Sequence, residues 1–304
     1  MNRAAVRLSP EVDAARRSGR PVVALESSVF AQGLPSPYNV QAFERMLAAI
    51  EAAGAVAAVT AVVDGEPCAG LTSAEVRRLM DQPGVLKASA RDLPVVMASA
   101  TTAATTVAAS LALCRWAGLE VFATGGIGGV HREPAYDESA DLVELGRTPA
   151  VVVCAGAKTI LDLPATMERL ESLSVSVVGY RTDEVPGFFV ARTGLRVGAT
   201  VTSAEEVARI YRAQRKLGLP GALLVLQAPP EGESLDAQEL EAVIESALDE
   251  ARVRRVTGSG MTPFLLDAVR RLTNGRSLRT NLALLEANAR LAAEIARAVT
   301  ISDS

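Results

Sequence analysis

Short apolar runs alternate with amphipathic segments along most of the chain. Uncharged runs bounded by turn residues predict buried strands, and apolar residues at a spacing of three or four predict helices. Strands are predicted over residues 21–27, 55–63, 85–88, 119–123, 150–154, 175–179 and 222–226. Helices are predicted over residues 40–53, 105–117, 139–146, 159–173, 203–217, 236–253, 262–272 and 278–299. This alternation favours an α/β fold with a mostly parallel sheet covered by helices on both faces.

No internal repeat or low-complexity tract interrupts the pattern. The polar loop over residues 229–234 is the best candidate for a boundary, but no convincing linker accompanies it. We therefore expect residues 1–304 to form a single domain. Residues 93–114 carry no charge, but they are built from Ala, Thr and Ser, so a buried strand followed by a close-packed helix fits better than a membrane span.

Composition excludes several classes of partner. The net charge is −4, which gives no reason to expect a nucleic acid, and no apolar signal core precedes the first predicted elements. The three cysteines, Cys68, Cys114 and Cys154, form no CxxC pair. A disulfide framework or zinc knuckle is thus not expected, and a reducing cytoplasm is the simplest compartment.

Lysine is scarce in this chain. Of 31 basic residues, only Lys87, Lys158 and Lys216 are lysines. Arginine stays charged, whereas a poorly hydrated lysine can become a neutral nucleophile. Lys158 follows a predicted strand, at the sheet edge where ligands bind in α/β folds, and its neighbours are small and apolar. It is a candidate for a Schiff base or for phosphate binding, whereas Lys216 near a helix end suits a dipole partner.

A glycine-rich loop, TGGIGG over residues 124–129, follows another predicted strand. Its amides could approach an anion, although a tight turn is the simpler alternative. It matches neither the dinucleotide-binding fingerprint nor the P-loop. His131, the only histidine, could be a proton shuttle, an anion ligand or a surface residue.

Carboxylates and hydroxyls supply the remaining candidates. Asp137 and Asp141 flank Ser139 at a predicted helix start, where they could cap the helix, hold Mg²⁺ or Mn²⁺, or accompany a bound phosphate. Thr106 at another helix start could equally cap it or bind phosphate. Glu26 ends a buried strand, where it could act as a general acid or be a satisfied strand-end residue.

Several segments in this order resemble the pseudouridine-5′-phosphate glycosidase family, also known as indigoidine-synthase-A-like proteins. The resemblance covers nearly the whole chain. It rests chiefly on the segments VALESSVFAQGLPSPYNV, GGIGGVHR, DESADLVELGRTPAVVVCAGAKTILDLPATMERL and GRSLRTNLALLEANARLAAEIA. It implies a three-layer α/β/α fold, a homotrimer and one Mn²⁺ per subunit. The implied reaction is reversible cleavage of the C–C glycosidic bond of pseudouridine 5′-phosphate, which yields uracil and ribose 5-phosphate.

The resemblance also assigns roles. Lys158 matches the nucleophile that forms a Schiff base with C1′ of the ring-opened sugar, Glu26 the proton donor and Asp137 the metal ligand. Positions in substrate-binding or family-like motifs are Lys87, Thr106, Val107, Thr124, His131, Ser139, Ala140, Asp141 and Asn281. The chain departs from the family at Gln32, where histidine is common. Two other hypotheses stay open: a lyase or aldolase acting on another sugar phosphate, and a sugar-phosphate or nucleotide binder without catalysis.

Overall fold

A mostly parallel sheet forms the centre of the molecule. The computed structural model describes residues 6–133, 136–256 and 261–301. Within them the main path of the sheet runs β1-β4-β3-β2-β7-β9-β13-β11-β12, and β6 joins β3 and β5. In this sheet, among the described strands, only β4 and β6 pair antiparallel, both with β3, whereas β8 and β10 form a separate antiparallel pair. The expected mostly parallel sheet is therefore confirmed.

The strands and helices have these bounds. The strands are β1 (Arg7–Leu8), β2 (Val22–Glu26), β3 (Val56–Val63), β4 (Glu66–Ala69), β5 (Leu86–Ala88), β6 (Ala103–Thr105), β7 (Val121–Ala123), β8 (Val130–His131), β9 (Val151–Cys154), β10 (Leu161–Asp162), β11 (Ser176–Tyr180), β12 (Thr200–Val201) and β13 (Leu223–Gln227). The α-helices are α1 (Pro10–Arg17), α2 (Tyr38–Ala52), α3 (Ser73–Asp81), α4 (Leu93–Ala98), α5 (Val107–Ala117), α6 (Ala140–Leu145), α7 (Leu163–Ser172), α8 (Ala204–Lys216), α9 (Ala237–Val253), α10 (Met261–Leu272) and α11 (Arg276–Thr300).

Two predicted boundaries are wrong. The segment 93–98 is a helix rather than a strand, because Pro94 lies in its first turn, where a missing N–H costs nothing. The buried strand comes later, as β6. Helix α7 begins at Leu163 rather than at residue 159, because the Asp162 side chain caps it by accepting from the Ala165 N–H. Of the four residues before α7, the first two form a turn and the last two form the strand β10, which pairs with β8.

Helices cover both faces of the sheet. Helix α11 contacts α2, α8 and the strands β2, β7 and β9, whereas α5 contacts α6 and the strands β2 and β3. Right-handed crossovers explain this division, because the β2-to-β3 and β3-to-β7 connections run in opposite directions along the sheet. The molecule thus has the expected three layers.

The strand order reverses between β2 and β7. The chain leaves β2 for β3 on one side and returns through α5 to β7 on the other. In open α/β sheets, ligands bind beyond the carboxyl ends of the strands at such a point. Glu26 ends β2 and Thr124 follows β7, so the topology places both residues at that position.

The sheet and its helices enclose a large apolar core. The central strands β9 and β13 are buried at almost every position, as expected for parallel strands covered on both faces. All three cysteines are buried and unpaired. None of the described helices combines the length and apolar character needed to cross a bilayer.

Candidate active site

A cavity of about 360 Å³ opens beside the carboxyl ends of β2 and β7. Five of the residues proposed from the sequence line it: Glu26, Lys87, Thr124, Lys158 and Asn281. They come from four separate segments of the sheet and from α11. The cavity also has an apolar part, which includes Phe188, Phe189, Leu266 and Leu278.

Glu26 is the buried acid of this cavity, with 8% of its surface exposed. The Thr124 hydroxyl donates to Oε1 at 2.5 Å, and the Ser28 hydroxyl donates to Oε2 at 2.7 Å. Each carboxylate oxygen therefore has one hydroxyl partner. These two hydrogen bonds hold the Glu26 carboxylate in one orientation.

Lys158 lies on the loop that follows β9. Its backbone N–H donates to the Ile127 carbonyl at 3.2 Å, and Ala157 forms a parallel bridge with Ile127. The loop is thus paired with the glycine-rich segment at Ile127. From this loop the partly buried Lys158 side chain reaches the cavity.

Lys87 faces the same space from β5. Its side chain remains accessible through the cavity, yet the surrounding protein removes much of its bulk water. This burial, together with the positive charge of Lys158, lowers the pKa of Lys87, and the charges of Glu26 and Asp141 oppose that shift only in part.

Close packing accounts for glycines in the loop. A Cβ at Gly126 would lie 2.5 Å from Cδ2 of Phe188, and one at Gly128 would lie 2.2 Å from Oγ of Ser139. A Cβ at Gly129 would lie 2.4 Å from Oγ1 of Thr166. The loop therefore needs glycine so that neighbouring side chains can approach, a requirement that a search for phosphate-binding motifs does not consider.

The predicted residues of the two helix starts lie together but do not line the cavity. Thr106 and Ser139 are the N-caps of α5 and α6, and Val107 and Ala140 are the first helical residues. Buried Asp141 joins the two segments, because Oδ1 accepts from the Ala108 N–H at 2.9 Å and Oδ2 from the Gly128 N–H at 2.8 Å. Asp141 thus ties the start of α5 to the glycine loop.

His131 and Asp137 lie in a separate small patch. His131 belongs to β8, which pairs with β10, and its N–H donates to the Asp137 carbonyl at 2.9 Å. Neither residue lines the cavity. Among the described residues, the Asp137 carboxylate has no recorded hydrogen-bond or ion-pair partner, and no three His, Cys, Asp or Glu side chains converge as a metal cluster. A lone, half-buried carboxylate fits a divalent ion that keeps most of its water.

Sequence reasoning missed three residues of the site. Ser28 donates a hydrogen bond to Glu26. Phe188 forms an aromatic wall of the cavity, and its backbone φ of +58° is unusual for a residue other than glycine. Asn288 of α11 is fully buried and donates to the Thr124 carbonyl at 2.9 Å. The signal for Asn288 was available, since an amide among apolar residues on a buried helix face requires a partner.

Comparison with known proteins gives a consistent result. A sequence model of the indigoidine synthase A-like protein family matches residues 11–298. The chain is 53% identical to the pseudouridine-5′-phosphate glycosidase of Gemmatimonas aurantiaca, over 96% of each protein. It is 48% identical to the enzyme of that name from Chloroflexus aurantiacus, over 96% of this chain and 97% of the relative.

Two crystal structures are similar over almost the full length. The prealnumycin C-glycosynthase in complex with ribulose 5-phosphate has a TM-score of 0.90 and 35% identity, and the match covers 97% of both chains. An indigoidine synthase A-like protein from Thermotoga maritima has a TM-score of 0.90 and 38% identity, covering 99% of this chain and 98% of the other.

Proposed function

The chain belongs to the indigoidine synthase A-like protein family, and from that membership we propose that it is a pseudouridine-5′-phosphate glycosidase. It cleaves the C–C glycosidic bond reversibly and releases uracil and ribose 5-phosphate. The relatives that carry this name match nearly the full chain at 53% and 48% identity. The observation that carries the proposal is the meeting of one buried carboxylate and two lysines in a single cavity.

A C–C glycosidic bond explains the need for an amine. The leaving carbon offers no oxygen that an acid could protonate, so the electron pair of the bond must be drawn away through a covalent intermediate. A Schiff base between Lys158 and C1′ provides this route. Lys158 is suited to the role, since it reaches the cavity from a loop that backbone hydrogen bonds hold in place.

Proton transfer assigns Glu26 a place in the sequence of steps. Ring opening breaks the C1′–O4′ bond: O4′ gains a proton, uracil N1 loses one, and C1′ becomes doubly bonded to C5. The neutral Lys158 amine then adds to C1′, the electron pair of that double bond returns to the uracil ring so that N1 is protonated again, and the Glu26 carboxylate takes the proton that the new C–N bond releases. Glu26 then gives that proton to C5 of uracil as the C1′–C5 bond breaks, and its electron pair returns to the uracil ring. The nitrogen lone pair completes the C=N bond, and water later hydrolyses it to ribose 5-phosphate and free Lys158.

Lys87 suits the phosphate group. A lysine whose pKa is lowered by burial and by a neighbouring amine gains a favourable partner when a dianion enters. The starts of α5 and α6 complete the substrate region, with Thr106, Val107, Ser139, Ala140 and Asp141 in binding or supporting roles. Thr124, His131 and Asn281 remain assigned to the substrate on the family resemblance.

The proposal extends to the metal and the assembly. Asp137 would hold one Mn²⁺ per subunit together with water, and the bound ion would supply positive charge for an anionic substrate. We further propose a homotrimer, a single domain over residues 1–304 and a cytoplasmic location. Three buried, unpaired cysteines support the reducing compartment.

The test is uracil release from pseudouridine 5′-phosphate, with and without Mn²⁺. Lys158→Ala should abolish release, and Lys216→Ala, an exposed lysine on α8, should leave it unchanged. Borohydride reduction in the presence of ribose 5-phosphate should add the mass of the reduced sugar at Lys158. Turnover by Lys158→Ala, or an unmodified Lys158 after reduction, would contradict the covalent mechanism.

A further inference from the structure

Two consecutive serines after β2 point in different directions. Ser27 is buried in a hydroxyl cluster, where its Oγ accepts from the Thr105 N–H at 2.9 Å. Ser28 lines the cavity instead and donates to Glu26 Oε2 at 2.7 Å, with 5% of its surface exposed. Ser28 therefore has a partner in the reaction centre rather than in the core.

The backbone around Ser28 explains how its direction is set. A π-helical turn over Val29–Gly33 begins directly after it, and such turns are rare and frequent at functional sites. The Phe30 and Ala31 N–H groups both donate to the Ser27 carbonyl. The turn carries the chain away from the strand at Ser28 and leaves its hydroxyl beside the acid.

The second donor to Glu26 is Thr124, which follows the neighbouring strand β7 and is held in place by backbone and side-chain hydrogen bonds. Thr124 donates its hydroxyl to Oε1, its N–H to the Val153 carbonyl at 3.1 Å, and accepts from Asn288 at its own carbonyl. One hydroxyl from the turn after β2 and one from the loop after β7 thus fix the orientation of the Glu26 carboxylate.

We infer that Ser28 is a positioning residue of the reaction, which holds the Glu26 carboxylate in the orientation that accepts the first proton. This inference rests on the proposed function, because it requires that Glu26 take the proton released by the attacking amine. Glu26 then acts as donor only after it has been an acceptor. Removal of the Ser28 hydroxyl would leave one carboxylate oxygen without its donor, so that Glu26 could turn away from the attacking amine.

Other charged groups face Glu26 across the cavity. Lys87 approaches from β5 and Lys158 from the loop after β9, and α10 contributes Asp267 and Arg270, which are bonded to each other. The negative charge of Asp141 also acts on Lys87, where it partly opposes the lowering of the Lys87 pKa. A pH profile therefore reports several groups, and the contribution of Ser28 must be isolated by comparing variants in which only its hydroxyl changes.

The experiment measures kcat and KM for uracil release against pH in the wild type, Ser28→Ala and Glu26→Gln. Ser28→Ala should lower kcat by roughly 10- to 100-fold with KM within about three-fold, as for loss of a hydrogen bond to a charged group. Ser28→Cys, whose thiol is a weaker donor than the hydroxyl, should give an intermediate loss of kcat.

A double-mutant cycle separates this role from a general effect on folding. Adding Ser28→Ala to Glu26→Gln should cost less than about two-fold, because the two residues act through one interaction. Ser172→Ala makes the same chemical change on the surface of α7 and serves as the control. An unchanged kcat in Ser28→Ala, or full additivity in the cycle, would overturn the inference; absence of uracil release by the wild type would instead reject the proposed function.

Discussion

The carboxylates of Glu26 and Asp137 lie in contrasting regions. Glu26 ends a central strand, is almost fully buried and has a hydroxyl donor on each oxygen. Asp137 lies next to a two-stranded patch, is half-buried and has no recorded partner for its carboxylate among the described residues. A carboxylate bound to hydroxyls is suited to exchanging protons, whereas one without partners is suited to a hydrated cation.

Asp141 represents a third arrangement. Its oxygens accept from two backbone amides, which cannot give up their protons to a reaction. We therefore expect the same functional group to serve three purposes in one protein, which the hydrogen-bond donors around it distinguish. The following substitutions test that distinction.

The largest effect is expected for Glu26→Gln. The amide cannot accept and return a proton, so kcat should fall by about 10²- to 10⁴-fold, the usual contribution of general acid–base catalysis. The melting temperature should change little, since the amide oxygen can keep one hydroxyl partner. Steady-state kinetics and thermal unfolding measure both quantities, and retained turnover would remove Glu26 from the mechanism.

Asp141→Asn should reduce stability instead. Its NH₂ group would face one of the two amides, leaving a buried donor without a partner at a cost of about 1–3 kcal/mol in the free energy of unfolding. Urea unfolding provides the measurement. Asp249→Asn, an exposed residue paired with Arg252, is the matched control and should change little. Equal stability of both variants would contradict the bridging role.

Asp137→Asn should affect the metal response. Loss of the anionic ligand should weaken Mn²⁺ binding by roughly ten-fold or more, measured by calorimetry and by activation of uracil release. Glu138→Gln is the control, because Glu138 is paired with Arg169. If both variants bind Mn²⁺ like the wild type, Asp137 is not the ligand.

The smallest effect concerns Lys87 and pH. Burial and Lys158 lower the pKa of Lys87 in the folded protein, so the unfolded chain binds more protons between that lowered value and the ordinary lysine value near ~10.4. The Lys87 contribution to stability therefore rises with pH through this window. Near neutral pH, the melting temperature of Lys87→Met should exceed that of the wild type by about 2 °C or less. This difference in melting temperature should shrink at alkaline pH.

Melting curves of Lys87→Met and the wild type across this pH range test the sign. Lys216→Met provides an exposed comparison and should show no such trend. A difference that grows with pH would contradict a burial penalty on the Lys87 cation.

Much of the fold could be predicted because its signals are local. The apolar runs around β2, β7 and β9 and the glycines that end helices are visible in the sequence, and parallel strands bring their carboxyl ends together. Glu26 and Lys158 could therefore be placed at one edge. The helix α4 was missed because a short uncharged run that contains Pro94 is compatible both with a strand and with the first turn of a helix.

The remainder of the site depends on contacts between distant segments. Ser28 and Asn288 gain their roles only when β2, the loop after β7 and α11 come together, and residue spacing along the chain does not contain that information. The packing of Phe188 onto Gly126 is equally non-local. The roles of His131 and Asp137 stay predictions from family resemblance, since neither lines the cavity.

Helix α11 has a consequence for how the protein is made. It packs against α2, although more than 200 residues separate the two in the chain, and it brings Asn281 and Asn288 to the centre. Contacts over such separations form late, because a long segment must close first. A growing polypeptide on the ribosome acquires Glu26, Lys87 and Lys158 well before this helix emerges. The reactive centre is thus completed only after α11 has been made.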